Sequence, residues 1–137
     1  MFNPFKDQKS TEVMKFSLSK EGYSFKLGDN FVLGEFASKD GADEILIHPA
    51  CLVLLDHFRE KWGKPISINS GYRSPSHNKK IGGATNSYHV LGMAQDIDVF
   101  GVKPIEVAEY AETLVGGVGR YNTFTHIDVG PLRRWKG

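Results

Sequence analysis

Two short runs hold residue types that could do chemistry: Ser87-x-His89-x-x-Gly92-x-Ala94-x-Asp96 and, well downstream, His126-x-Asp128. Histidine and aspartate both bind Zn²⁺ well, and a catalytic zinc typically takes three protein ligands and keeps one position for water. His89 and Asp96 supply two, so a third must come from a distant segment, and His126 is the candidate. Each also has a plainer reading: a loop histidine bonded to backbone, an aspartate in a salt bridge or cap, a satisfied core histidine. An ion held by two imidazoles and a carboxylate activates water and polarises a peptide carbonyl, which suffices for amide hydrolysis without a covalent intermediate.

Hydrolysis also needs a group that takes a proton from water and hands it to the leaving amine. Asp128 is the catalytic candidate, because the two-residue period of a strand points it the same way as His126. Its rival role is an acceptor that orients a histidine ligand. Asp98 shares a strand face with Asp96 and is a further candidate for that orienting task. Arg73, in Gly71-Tyr72-Arg73-Ser74 at a strand end, could grip a substrate carboxylate at two points or stabilise an oxyanion. Ser87 and Tyr88 adjoin His89 and should line the same cleft as substrate-binding residues. Tyr72 and Tyr121 read as walls or as packing, and His77 and Asn78 as surface polar residues. His57 reads as structural or solvated, because no second ligand sits at helical spacing.

These residues need elements to hold them. Residues 1 to 12 read as a loosely attached lead-in. Alternation of apolar and polar residues from Val13 to Leu27, broken by Ser19-Lys20-Glu21-Gly22, predicts a hairpin. Pro49 suits a first helical turn, Cys51, Leu55, Phe58 and Trp62 follow a helical period, and Gly63 suits a left-handed cap, so a helix should run from Pro49 to Trp62. Pro65 to Ser70 reads as a strand delivering Gly71 to Arg73, Pro75 to Lys80 as a short helical turn, and Gln95 to Phe100 as a strand. Pro104 opens a second helix that Gly116-Gly117 ends, and Val118 to Tyr121 and Phe124 to Val129 form two strands around Asn122-Thr123. The order argues for an α+β domain, a small mostly antiparallel sheet with flanking helices.

Composition narrows the field. The chain has 137 residues, 17 basic and 16 acidic, with a net charge of +1, so bulk charge gives no reason to expect a nucleic acid partner. One cysteine, Cys51, excludes an internal disulfide and a cysteine-rich zinc knuckle, and its place in an apolar helical pattern makes it a buried hydrophobe. No run reaches the roughly 18 apolar residues of a membrane span, and the first residues lack an export signal's apolar core, so membrane insertion is not expected. The length fits a single domain, expected to be a monomer.

With these residues in view, the chain resembles the zinc D-Ala-D-Ala carboxypeptidase family of metallopeptidases, in particular its compact branch with little beyond a catalytic domain. The resemblance covers about Phe31 to Gly130 and rests on Gly71-Tyr72-Arg73-Ser74, on Ser87-x-His89-x-x-Gly92-x-Ala94-x-Asp96, and on Gly117-x-Gly119 leading to His126-x-Asp128. It implies the fold shared by these peptidases and the hedgehog signalling domain, Zn²⁺ on His89, Asp96 and His126, and Arg73 facing the substrate. The activity it implies is hydrolysis of bacterial peptidoglycan stem peptides at a bond involving D-alanine, as carboxypeptidase or endopeptidase. A phage lysin or a secreted cell-wall enzyme both fit. One departure stands out: several relatives place an acidic catalytic residue three positions before the last histidine, where this chain has Thr123. That departure favours the rival reading, a zinc-containing binding module of the same fold without turnover.

Overall fold

The computed structural model describes residues 3–137. Strand β1 (Met14–Ser17) leads into a one-turn helix α1 (Leu18–Glu21), and the expected hairpin over Val13 to Leu27 does not form. The cause is local. Ser17 accepts the Lys20 amide with its hydroxyl, while the Glu21 carboxylate accepts the Ser17 amide at 2.8 Å, so the intended turn closes into helix. The partner of β1 is instead β2 (Glu44–Ile47), antiparallel with Met14 opposite Ile47. Ile45 and Ile47 of that strand are fully buried.

Helix α2 (Pro49–Trp62) has the expected bounds. His48 caps its start, accepting the Ala50 amide at 3.0 Å, and Gly63 closes it at φ 59° with its amide on the Arg59 carbonyl. The apolar stripe of Cys51, Leu54, Leu55 and Phe58 is buried. Burial pushes the Cys51 thiol up to about 12, so it stays protonated and inert.

The remaining elements build the platform for the site. They are β3 (Ile66–Ser70), α3 (Pro75–Lys80), β4 (Ala94–Val99), α4 (Pro104–Ala111), β5 (Gly117–Arg120), β6 (Thr125–Asp128) and β7 (Arg133–Lys136). Five strands form one sheet in the order β3-β4-β6-β5-β7; every pairing is antiparallel except β5 with β7. The expected α+β architecture is therefore present, with β7 as an unforeseen edge strand. Ile66, Ile68, Ile97, Val99, Val118 and Ile127 of the sheet join α2 and the Val107, Ala108, Ala111 stripe of α4 in one buried cluster. The strand alternation and the helical stripes are thus two halves of one core.

The lead-in is not loose. Asp7 and Gln8 donate their amides to the Gly130 and Val129 carbonyls at 2.9 Å, and the Gly116 amide bonds the Phe5 carbonyl at 3.0 Å. Polar spacing in the sequence hid these backbone bonds, which tie the segment to the end of β6. The first two residues of the expected lead-in, Met1 and Phe2, lie outside the described residues.

Candidate metal centre

Sheet register brings the first two groups together. Asp96 on β4 lies directly opposite His126 on β6, and a cross-strand pair of this kind has neighbouring side chains. His89 arrives from the loop after α3, where the Arg73 amide bonds its carbonyl at 3.1 Å and the Met93 amide bonds the Tyr88 carbonyl at 2.9 Å. The small residues of the motif are steric requirements of this loop. Gly92 has φ +75°, and a Cβ there would stand 2.5 Å from the Leu46 backbone. Ala94 is fully buried.

One donor atom from each of His89, Asp96 and His126 lies within 4.8 Å of the others. His89 Nε2 is 3.2 Å and His126 Nδ1 3.0 Å from Asp96 Oδ1, and the two rings meet edge to face at 5.1 Å. The opposite nitrogen of each ring is already engaged. His89 Nδ1–H donates to the Gly71 carbonyl at 2.8 Å, and His126 Nε2–H donates to Asp128 Oδ2 at 2.7 Å. A neutral imidazole has one N–H, so each inward nitrogen presents a lone pair to the same carboxylate oxygen. Three electron-rich atoms that close repel unless a cation or protons stand among them. Two nitrogens and one carboxylate oxygen, with the rings oriented from behind, fit Zn²⁺.

The charges point the same way. Burial works to raise the Asp96 carboxyl, yet His126 and His89 hold it below the usual carboxylate range. Burial works against a charged His126, but Asp128 and Asp96 raise its pKa above the ordinary imidazole value. Asp128 is lowered in spite of burial, by His126 and Arg133. The pocket floor therefore favours positive charge between its carboxylates.

Around this floor lies a cleft of about 350 Å³. Arg73 reaches it, with Nε on Ser70 Oγ at 3.1 Å, Nη1 on Asn78 Oδ1 at 3.3 Å and Nη2 on Asp96 Oδ2 at 3.4 Å. Ser87 and Tyr88 also line it, and the Ser87 hydroxyl accepts the His89 amide at 3.2 Å. Asp128 lines it with a side chain that exposes nothing. Both of its oxygens are engaged, Oδ2 by His126 and Arg133 and Oδ1 by the Gly130 amide at 3.1 Å. Tyr121 is a wall, whereas Tyr72 is buried core.

The expectations for Asp98 and Asn78 fail, whereas that for His57 holds. Asp98 is exposed and makes no side-chain bond among the described residues, because the β4 face it shares with Ala94 and Asp96 is covered at those two residues and opens to solvent at Asp98. Asn78 is buried, not superficial: it bridges Arg73 and, at 2.9 Å, the Ala84 carbonyl. His57 is structural, bonded to the Tyr110 hydroxyl at 2.7 Å. Thr123 sits exposed in the β5–β6 turn and does not line the cleft.

Among the cleft residues that escaped the sequence reading are Arg133 and Trp135 of β7. Trp135 packs on the His126 ring at 4.8 Å, and the Arg133 guanidinium lies 4.7 Å from the Tyr88 ring and 5.1 Å from the Trp135 ring. The signal for Trp135 was Gly119, where a Cβ would stand 2.5 Å from its ring; a Cβ on Gly117 would collide with Asp128, and no glycine marked Arg133.

A family model described as Peptidase M15 matches residues 27–128. An 80-residue stretch is 48% identical to the probable peptidoglycan L,D-endopeptidase MepK of Haemophilus influenzae, covering 53% of this chain and 43% of that protein. The peptidoglycan L,D-endopeptidase MepK of Escherichia coli K12 is 39% identical over 80 residues, 53% of this chain and 44% of its own length. The zinc D-Ala-D-Ala carboxypeptidase of Streptomyces albus G is 35% identical over 78 residues, 53% of this chain and 31% of its own. The chain thus spans less than half the length of each of these relatives.

Proposed function

The chain belongs to the peptidase M15 family, and from that premise we propose that it is a zinc-dependent metallopeptidase hydrolysing peptide bonds of peptidoglycan stem peptides. The observation that carries this reading is the meeting of His89, Asp96 and His126, with both imidazoles oriented from behind, on the floor of an open cleft. When bound, zinc supplies a Lewis acid for the scissile carbonyl and an activated water. The residues do the rest. Gly71 and Asp128 fix the imidazole tautomers, and Asp128 holds the proton at His126 Nε2. Its fully engaged carboxylate supports that orienting role over the role of general base. Arg73, tethered beside Asp96, offers positive charge where a carbonyl oxygen gains negative charge.

The substrate class rests on the relatives. Those named L,D-endopeptidase align at 48% and 39% identity, above the 35% of the one named D-Ala-D-Ala carboxypeptidase. This favours a cut inside the stem over release of a terminal D-alanine. Its place of action is then the bacterial cell wall, reached by secretion or by phage delivery; no helix among the described residues is long and apolar enough to cross a membrane.

One observation favours a binding module without turnover. Among the described residues, Asp96 and Asp128 are the only carboxylates lining the cleft, and both are engaged. Incubation with purified muropeptides, followed by mass spectrometry, separates the two. Zinc-dependent products, abolished by a chelator, support the peptidase; zinc bound at one equivalent with no product supports the module.

A further inference from the structure

The two arginines of the cleft differ in what they have left to give. Among the described residues Arg73 donates to Ser70, Asn78 and Asp96, and its side chain is 17% exposed. Arg133 donates one side-chain hydrogen bond, Nη2 to Asp128 Oδ2 at 2.5 Å, and its side chain is 41% exposed. A guanidinium carries more N–H groups than that single contact uses, and its planar fork matches a carboxylate at two points. The fork is also held still, its central carbon near the Tyr88 and Trp135 rings and one edge tied to Asp128. A guanidinium immobilised before binding loses little entropy when it meets an anion.

Resting on the peptidase reading above, we infer that Arg133, clasped by Tyr88 and Trp135, forms a subsite for a carboxylate of the peptide substrate. Arg73 already makes three side-chain contacts on the pocket floor, against one for Arg133, so recognition of that carboxylate falls to the edge strand β7. The subsite adjoins the ligand set through Asp128 and through Trp135 on His126, so a peptide anchored there lies across the three donor atoms. The carboxylate has two sources in a peptide, the C-terminus or an acidic side chain. Both offer the same pair of oxygens.

The test uses the whole chain and three synthetic peptides ending in D-alanyl-D-alanine: one with both carboxylates free, one amidated at the C-terminus, one amidated at its acidic side chain. Binding is read by calorimetry and turnover by mass spectrometry. One amidation should weaken binding to the wild-type protein by about tenfold, as loss of a charge-assisted contact predicts. Which one does so identifies the source. That penalty should vanish in R133Q and persist in R73Q. R133K keeps a cation near the rings and Asp128 but loses the two-point fork, so it should shrink the penalty even if R133Q folds poorly; melting curves report the folding. A penalty retained in both Arg133 variants, an equal affinity for all three peptides, or no binding overturns the subsite. Turnover tests the peptidase separately: cleavage indifferent to amidation keeps the enzyme and removes the subsite, whereas carboxylate-dependent binding without cleavage does the reverse.

Discussion

Of the three histidines buried among the described residues, His48 and His126 stand under opposite conditions. His48 caps α2: its Nδ1 accepts the Ala50 amide, its Nε2 makes no hydrogen bond among the described residues, and Glu12 comes no nearer than 4.0 Å. Burial lowers its pKa below the ordinary value, against the pull of Glu12. His126 is comparably enclosed but stands between two carboxylates, and its pKa rises. The difference teaches that burial alone makes an imidazole structural. Partners that demand positive charge make it a site.

The largest test of the comparison removes each ring. His126→Ala or His89→Ala should abolish stoichiometric zinc, read by mass spectrometry of the metal. Turnover of muropeptides should fall by on the order of a thousandfold, the rate equivalent of roughly 4 kcal/mol of lost charge stabilisation. His48→Ala should keep both zinc and turnover and lose about 1 kcal/mol of folding stability with the helix cap. Zinc lost from the His48 variant would erase the distinction.

Asp128→Ala comes next. With the imidazole no longer oriented, zinc affinity should weaken by about ten- to a hundredfold, measured by competition with a chromogenic chelator. An unchanged affinity with collapsed turnover would return Asp128 to the role of general base.

A subtler contrast lies in the pH dependence of the metal-free protein. A raised His126 contributes stability that is present below the unfolded value near 6.5 and is lost as pH climbs through the higher folded value. A lowered His48 contributes stability that is present above that same value and is lost as pH falls through the lower folded one. Melting temperatures of wild type against each alanine variant should therefore diverge in opposite directions across this range, and parallel curves would contradict the contrast. Smallest of all, Asp98→Ala should leave turnover within about twofold and stability within roughly 0.5 kcal/mol, because its exposed carboxylate touches nothing in the site.

How much of this was legible depended on whether the signal was local. The 3.6-residue stripe and caps of α2, the alternation of β3 and β4, and the turn between β5 and β6 are written in adjacent residues, and each formed where the sequence placed it. The hairpin over Val13 to Leu27 was misread because Ser17 and Glu21 make a helical box that alternation does not register. Arg133 and Trp135 were missed because Arg133-Arg134-Trp135-Lys136 has no apolar period; its pairing with β5 is parallel, between segments joined through β6. Asn78 looked superficial because its burial depends on Arg73 and a loop carbonyl that no spacing rule connects to it.

The sequence by itself determined which residue types were available to hold a cation, and through Gly92, Ala94, Gly117 and Gly119 where side chains had to be small. Only the tertiary structure decided that Asp96 faces His126 across two strands, that Asp128 turns its carboxylate to an imidazole, and that one arginine makes three side-chain contacts while the other makes one. The reason is physical: residue type and short-range period are carried by the chain, whereas a hydrogen bond's remaining capacity is known only once every neighbour has taken its share.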